Sequence, residues 1–156
     1  MWTVEEGISR LREGGAKITS QRIAILRLLK GRMDHPSADQ VYSELREDFP
    51  TISYATIYST AQLLANSGLI QILSIDDKRV HFDPDPKPHG HFRCESCGAL
   101  YDFPIDEEML DRLRHGSSQQ AHSVQIFAYG LCDDCRRAAF DLTERIAAEE
   151  EVLVEA

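Results

Sequence analysis

The sequence predicts an α+β fold in two parts. A helical half closes with a β-hairpin, and a smaller half of short strands and helices is stapled by metal. Three observations predict it. Four capped, amphipathic segments precede a β-branched stretch, LIQILSIDDKRVHFD, within the first 83 residues. Alternating prolines follow in DPDPKP at 83–88. The rest of the chain holds all four cysteines, in two C-x-x-C pairs separated by 34 residues.

The helical half is read from its punctuation. Thr3 caps a first helix that runs to Gly14-Gly15. Thr19 or Ser20 caps a second, QRIAILRLLKG, with Ile25, Leu28 and Leu29 on one apolar face. Ser37 and Gln40 form a capping box for a third, HPSADQVYSELRE, with Val41 and Leu45 inward and Pro50 as its stop. A fourth starts at Ser53, faces inward through Ile57, Ala61 and Leu64, and stops at Gly68.

The other face of the fourth helix carries Ser53, Tyr54, Thr56, Tyr58, Ser59 and Thr60, hydrogen-bonding but uncharged. A purely solvated face more often carries Glu and Lys. Such groups suit phosphates, base edges and thymine methyls, as on a recognition helix in a major groove. An ordinary polar helix start is the alternative. The β-branched stretch, broken at Asp76-Asp77, reads as a hairpin with Lys78 and Arg79 at its tip, placed for phosphate. Helices followed by such a hairpin make a winged helix-turn-helix.

The prolines stiffen residues 84–88 and prevent helix there. The predicted parts are therefore 1–83, a linker at 84–88, and 89–156. In the last part HFRC, GALYDF and SVQIFAYGLC read as strands and DEEMLDRLRHG as a short helix. RRAAFDLTERIAAEEEVL reads as a long helix, with Ala139, Leu142 and Ile146 on one side, before a solvated acidic tail, EEEVLVEA. About 70 residues make a marginal core. This half needs zinc, a partner subunit, or both.

The 156 residues carry a net charge of −9 and are 42% hydrophobic and 28% charged, as a soluble globular protein is. No apolar run approaches the ~18 residues of a membrane span, and the charged, amphipathic N-terminus is no signal peptide. A cytoplasmic protein is expected. The charge is polarised. Residues 1–80 balance ten basic groups against ten acids, and the deficit lies beyond them. Residues 1–32 hold seven basic groups, Arg22 among them, against three acids. A local positive face can meet phosphate under a negative total; a solvated helix surface is the plainer account.

Cys94, Cys97, Cys132 and Cys135 offer four thiolates, which suits tetrahedral zinc with no open position. A redox dithiol or disulfide is the weaker reading without an export signal. His89 and His91 are two apart and share a face if they stand on a strand.

The stretches TSQRIAILRLL, HPSADQVY, ISYATIYSTAQLLANSGLI, HFD, HGHFRCESCGALYDF and YGLCDDC, in this order over residues 19–135, resemble the ferric uptake regulator superfamily. H-x-H-x-x-C-x-x-C with a second C-x-x-C, behind a winged helix, is the specific element. The resemblance implies a dimeric, metal-dependent DNA-binding repressor, with an N-terminal winged helix-turn-helix domain and a C-terminal α/β dimerisation domain that carries a structural zinc site. It implies a homodimer on a palindromic double-stranded operator, with no membrane role. It implies a regulatory site of His35, Asp83, His89, His91 and Asp102, a donor set that suits Fe(II) or Mn(II). DNA contacts are expected from Arg22, Tyr54, Thr56, Tyr58, Ser59, Lys78 and Arg79.

Asp102 resembles the peroxide-sensing branch, in which a ligand histidine is oxidised; His35 and His89 match those targets. Iron-uptake members more usually carry Glu there, and an iron-, manganese- or zinc-responsive repressor is the alternative. The chain departs from members with a second regulatory site, having Pro88, Gly90 and Val124 at its places. Glu107, Glu108, His115 and His122 are the remaining candidates for a weaker one. A zinc enzyme and a protein-docking zinc module are the rival classes. The first lacks an evident nucleophile or substrate pocket; salt-sensitive, metal-dependent DNA binding separates the second.

Overall fold

The computed structural model describes residues 2–76, 78–116, 121 and 123–140. The chain forms two compact units, Met1–Lys87 and Pro88–Ala156.

The first unit opens with α1 (Val4–Glu13), whose N-cap Thr3 and Glu6 make a reciprocal capping box. Helix α2 (Ser20–Leu29) is capped by Thr19. Helix α3 (Ala38–Leu45) has the Ser37–Gln40 box, and α4 (Tyr54–Asn66) is capped by Ser53. Satisfying these orphan amides stabilises each helix by about 1 kcal/mol. Strands β1 (Gln71–Asp76) and β2 (Arg79–Asp83) pair antiparallel, with Ile72 opposite Phe82. Leu11, Ile25, Leu26, Leu29, Val41, Ile57, Ala61, Leu64 and Phe82 are fully buried in one core. Each large one contributes about 1.5–3 kcal/mol of burial. Three or more helices ahead of an antiparallel hairpin is the winged helix that the punctuation predicts.

Four details differ from expectation. The core face of α2 uses Leu26, and Leu28 is only half-buried. The cause is Gly7: a Cβ there would stand 2.6 Å from Leu26 Cδ2, so the bare glycine lets α1 close onto that side of α2. Helix α3 ends at Leu45, well before Pro50, and residues 46–48 form a turn with Phe49 N–H bonded to Leu45 C=O. Thr60 belongs to the core rather than the exposed face; its hydroxyl donates to Thr56 O at 2.7 Å, which satisfies it internally. Residues 84–87 are tied to the first unit. Trp2 Nε1 donates to Pro84 O at 3.1 Å, and the Gln71 amide reaches Asp85 O and Lys87 O.

The second unit holds a three-stranded sheet of β3 (Gly90–Cys94), β4 (Leu100–Phe103) and β5 (Ile126–Gly130), in the order β4-β3-β5. Strand β4 lies antiparallel to β3, and β5 parallel. Helix α5 (Glu107–His115) is capped by Asp106, and residues 133–140 are helical. The strand expected from Ser123 begins only at Ile126. Leu142, Ile146, the acidic tail, Asp77 and His122 lie outside the described residues. Among the described residues of this unit Cys94, Leu110 and Cys132 are the buried apolar side chains, while Tyr101, Met109, Leu113, Tyr129, Leu131 and Phe140 are exposed. Among the described residues, no helix is long and apolar enough to cross a membrane.

Candidate metal centres

The four cysteines converge because β3 and β5 run parallel and end together, with Cys94 opposite Gly130. Cys94 closes β3. A turn follows in which Gly98 N–H donates to Cys94 O at 2.9 Å, and Gly98 has φ +76°, which favours glycine. Just past β5, Cys132 N–H points at Cys94 Sγ, 3.4 Å away. The Cys132 carbonyl accepts from Arg136 N–H, so the helix over 133–140 begins on the second knuckle.

One sulfur from each cysteine lies within 4.8 Å of all the others. A tetrahedron of zinc–sulfur bonds has edges of about 3.8 Å. Cys97 Sγ and Cys132 Sγ are 3.8 Å apart, and no cysteine is in a disulfide. The donors therefore fit zinc, in a closed, four-sulfur site.

Backbone amides prepare the cluster for charge. The N–H groups of Cys132 and then Cys97 pull the Cys94 thiol down to about 6. The Cys135 N–H lowers that of Cys132, with a smaller contribution from Tyr101. For Cys135 a hydrogen bond with Ser96 lowers the pKa, but Cys132, Cys94 and Cys97 together push it up to about 12. Four thiols this close cannot all ionise without a cation. Zinc binding must then release the Cys135 proton, and the apparent affinity rises with pH, about tenfold per unit for each proton displaced. Competition against a chelator of known proton stoichiometry between about pH 6 and pH 8 reads the slope. A flat profile contradicts it.

The imidazole and carboxylate donors fall in both units. In the first, His35 Nε2 lies 3.9 Å from Asp83 Oδ1, and both side chains are buried. His35 has φ +47°, in the left-handed region, a strain of about 1–3 kcal/mol for a residue with a Cβ. Strand β2 holds it there. His81 Nδ1 donates to His35 O at 2.8 Å, Phe82 N–H donates to Pro36 O, and Ser37 bridges to His81. Beyond it, Arg32 grips Asp34 and Glu44, and its guanidinium holds the Asp34 carboxyl below the usual range.

In the second unit, His91 on β3 stands directly opposite Asp102 on β4. Asp102 Oδ1 is 3.8 Å from His91 Nε2 and 3.4 Å from His89 Nε2, and the two rings are 4.5 Å apart. Both histidines use one face of the strand, as expected, although His89 precedes its first residue. Gly90 between them is covered on the other face: a Cβ there would lie 2.2 Å from the Phe103 ring. Glu107, Glu108 and His115 form no cluster of three donors among the described residues, and Glu108 is paired with Arg112.

The expected DNA contacts are unequal. Tyr54, Tyr58 and Ser59 are exposed on α4. Tyr54 stacks on Tyr42 at 4.4 Å and donates its hydroxyl to Asp39 at 2.9 Å, which raises its pKa. Arg79 is exposed on the wing, 3.9 Å from the same Asp39, and Lys78 is exposed at the tip. Thr56 is half-buried, bonded to Ser53. Arg22 donates to Lys17 O at 2.7 Å, so it is already engaged within its own unit. Asp39, Gln71, His81 and Phe103 were not singled out as functional from sequence. Only His81 carried a signal, as a third histidine beside the candidate ligand Asp83.

A winged helix joined to a zinc-knuckled sheet with histidine and carboxylate donors defines a metal-dependent DNA-binding regulator. The chain belongs to the ferric uptake regulator family, whose family model matches residues 13–127. It is 37% identical over 135 residues to the peroxide-responsive repressor PerR of Staphylococcus aureus, covering 85% of this chain and 91% of that protein. The ferric uptake regulator of Pseudomonas aeruginosa, solved with manganese, superposes with a TM-score of 0.63 at 26% identity, over 81% of this chain and 98% of that one. That of Francisella tularensis, solved with iron, gives 0.64 at 26% identity, over 78% and 96%.

Proposed function

We propose that this protein is a cytoplasmic transcriptional repressor, not an enzyme, that binds a palindromic operator as a homodimer and senses peroxide. The observation that carries the reading is the cross-strand pair of His91 and Asp102 with His89 beside it, in a chain 37% identical to a peroxide-responsive repressor. His35, Asp83, His89, His91 and Asp102 are the donors of one regulatory Fe(II) or Mn(II) ion, with structural zinc at the four cysteines. Residues 1–83 then bind DNA, 84–88 link, and 89–156 dimerise. The exposed apolar groups of the second unit supply surface for a second copy. Tyr54, Tyr58 and Ser59 read the groove, and Lys78 and Arg79 take phosphates.

Closing both halves of the donor set on one ion fixes the recognition helix of each protomer against the dimer core. Two helices at one spacing match two half-sites. Losing one ligand releases the clamp, and a differential of a few kcal/mol is enough to empty the competent state. Iron(II) held by these donors would activate peroxide, so that one oxygen passes to an imidazole carbon and the other leaves as water. His35 and His89 are the side chains that gain oxygen. Asp102 keeps 29% of its side chain exposed, which leaves an approach for a small oxidant.

The test starts from a duplex selected by the Mn(II)-loaded protein. Protein loaded anaerobically with Fe(II) receives one equivalent of peroxide, and operator binding and peptide masses are measured together. Loss of binding with one added oxygen on the peptide of His35 or His89 is expected, and the Mn(II) form keeps its binding. Retained binding with unmodified histidines leaves a metal-responsive repressor of the iron-uptake kind, the reading that the iron- and manganese-bound neighbours favour.

A further inference from the structure

Gln71 opens β1, and its side chain reaches across to the end of β2 and beyond. Nε2 lies 3.2 Å from Asp83 Oδ2, 3.1 Å from Asp85 O and 3.3 Å from Lys87 O. An amide nitrogen has two hydrogens, so three acceptors share two donors. The ionised carboxylate is the strongest of the three. Asp83 Oδ1 in turn accepts from Asp85 N–H at 2.9 Å, and Asp85 Oδ1 accepts from Lys87 N–H at 3.0 Å. Pro84, Pro86 and Pro88 have no N–H. The only two backbone amides in residues 84–88 are thus both held by aspartate carboxylates, and the two intervening carbonyls are both held by Gln71.

We infer that Gln71 is a positioning residue that couples the Asp83 carboxylate to the linker backbone, so that occupancy of the regulatory site stiffens residues 84–87. The inference rests on the reading of Asp83 as a metal ligand. A carboxylate has about four lone-pair directions. Asp83 accepts from Asp85 N–H and from Gln71, and its Oδ1 lies 3.9 Å from His35 Nε2, the side on which a cation would sit. The terminal torsion of an aspartate is broad and two-fold. A cation that fixes it keeps Oδ2 aimed at Gln71, which then holds both linker carbonyls. With that torsion loose, Gln71 loses its anchor and the linker is released as far back as Pro84, where Trp2 still holds it. The freely moving part of residues 84–88 therefore lengthens when the metal leaves.

Hydrogen exchange of the peptide spanning 84–88, read by mass spectrometry on the full-length zinc-loaded protein, reports only the Asp85 and Lys87 amides. With Mn(II) the wild type slows at these amides by about tenfold. Gln71→Met keeps side-chain length and removes the donor. It is expected to lose the Mn(II)-dependent slowing while keeping its zinc content. Gln71→Glu, isosteric and also without the donor, gives the same loss and stands in if Gln71→Met folds poorly. Mn(II)-dependent slowing that survives either substitution overturns the inference, as does a wild type that shows none. Asp83→Asn separates the underlying reading. If that variant binds Mn(II) and slows like the wild type, the ligand assignment falls and Gln71's role falls with it. If Asp83→Asn loses Mn(II) while Gln71→Met behaves as the wild type, the ligand stands and only the coupling is removed.

Discussion

Cys94→Ser is expected to lose zinc, unfold the second unit while the first stays folded, and so abolish the proposed dimer. Cys94 is fully buried, closes β3 opposite Gly130, and receives the Cys132 N–H. It is the point where both knuckles and two neighbouring strands meet. A serine oxygen is shorter and harder and ionises far above the thiol range, so three sulfurs remain around an unmatched fourth corner. Structural zinc contributes roughly 10 kcal/mol or more to the folding of such units. Among the described residues the buried apolar side chains of this unit are Leu110, Cys94 and Cys132, so little apolar burial there offsets that loss. Sedimentation, zinc analysis and circular dichroism read it together: a zinc-free monomer that keeps the helical signal of α1 to α4. A reduced, chelated protein that sediments as a dimer contradicts it.

His91→Ala has the second large effect, on function rather than folding. The ring is 1% exposed, sits across β3–β4 from Asp102, and packs near Phe127 at 6.1 Å between centroids. Losing a supporting partner of a metal ligand costs about 10–100-fold in affinity, and losing the ligand itself exceeds that range. Mn(II) affinity should fall at least about 100-fold, and operator binding at fixed Mn(II) should drop to the chelated level. The zinc content should not change, because Cys94 stands three residues further along the strand and its donors are all sulfur. Mn(II)-dependent operator binding at wild-type strength would remove His91 from the regulatory site. A parallel loss of zinc would show a folding defect instead.

What was legible in the sequence follows from how local each determinant is. The helix starts were readable because a capping box lies within four residues: Thr3 with Glu6, Ser37 with Gln40. The knuckles were readable because C-x-x-C is a turn with its own geometry. Leu26 in place of Leu28 was not, because the choice depends on Gly7 in another helix. The early end of α3 was missed because a turn closes it before Pro50 acts. Thr60 looked like surface because a hydroxyl that bonds its own helix can be buried at little cost. In the candidate site, the donor types were visible, but the side chains that hold them were not. Gln71 and Phe103 act across strand pairings, and nothing near them in sequence marks that; His81 was marked only by its place two residues before Asp83. The strain at His35 was hidden for the same reason, since the residues that enforce it lie on β2.

The parallel pairing of β3 with β5 also sets an order of events during synthesis. Neighbouring parallel strands need a long crossover, here all of β4 and α5, before a single rung can form. Cys94 and Cys97 therefore leave the ribosome with no partner sulfurs, and Cys132 follows after roughly 2–7 s at 5–20 residues per second. In that interval the first knuckle is an incomplete two-thiol chelate, and the strand ahead of it has one edge open to other chains. Contacts of such long sequence separation form late and slowly. The whole winged helix, residues 1–83, has been synthesised by then. The four-sulfur site can therefore close only after the chain has been made as far as Cys135.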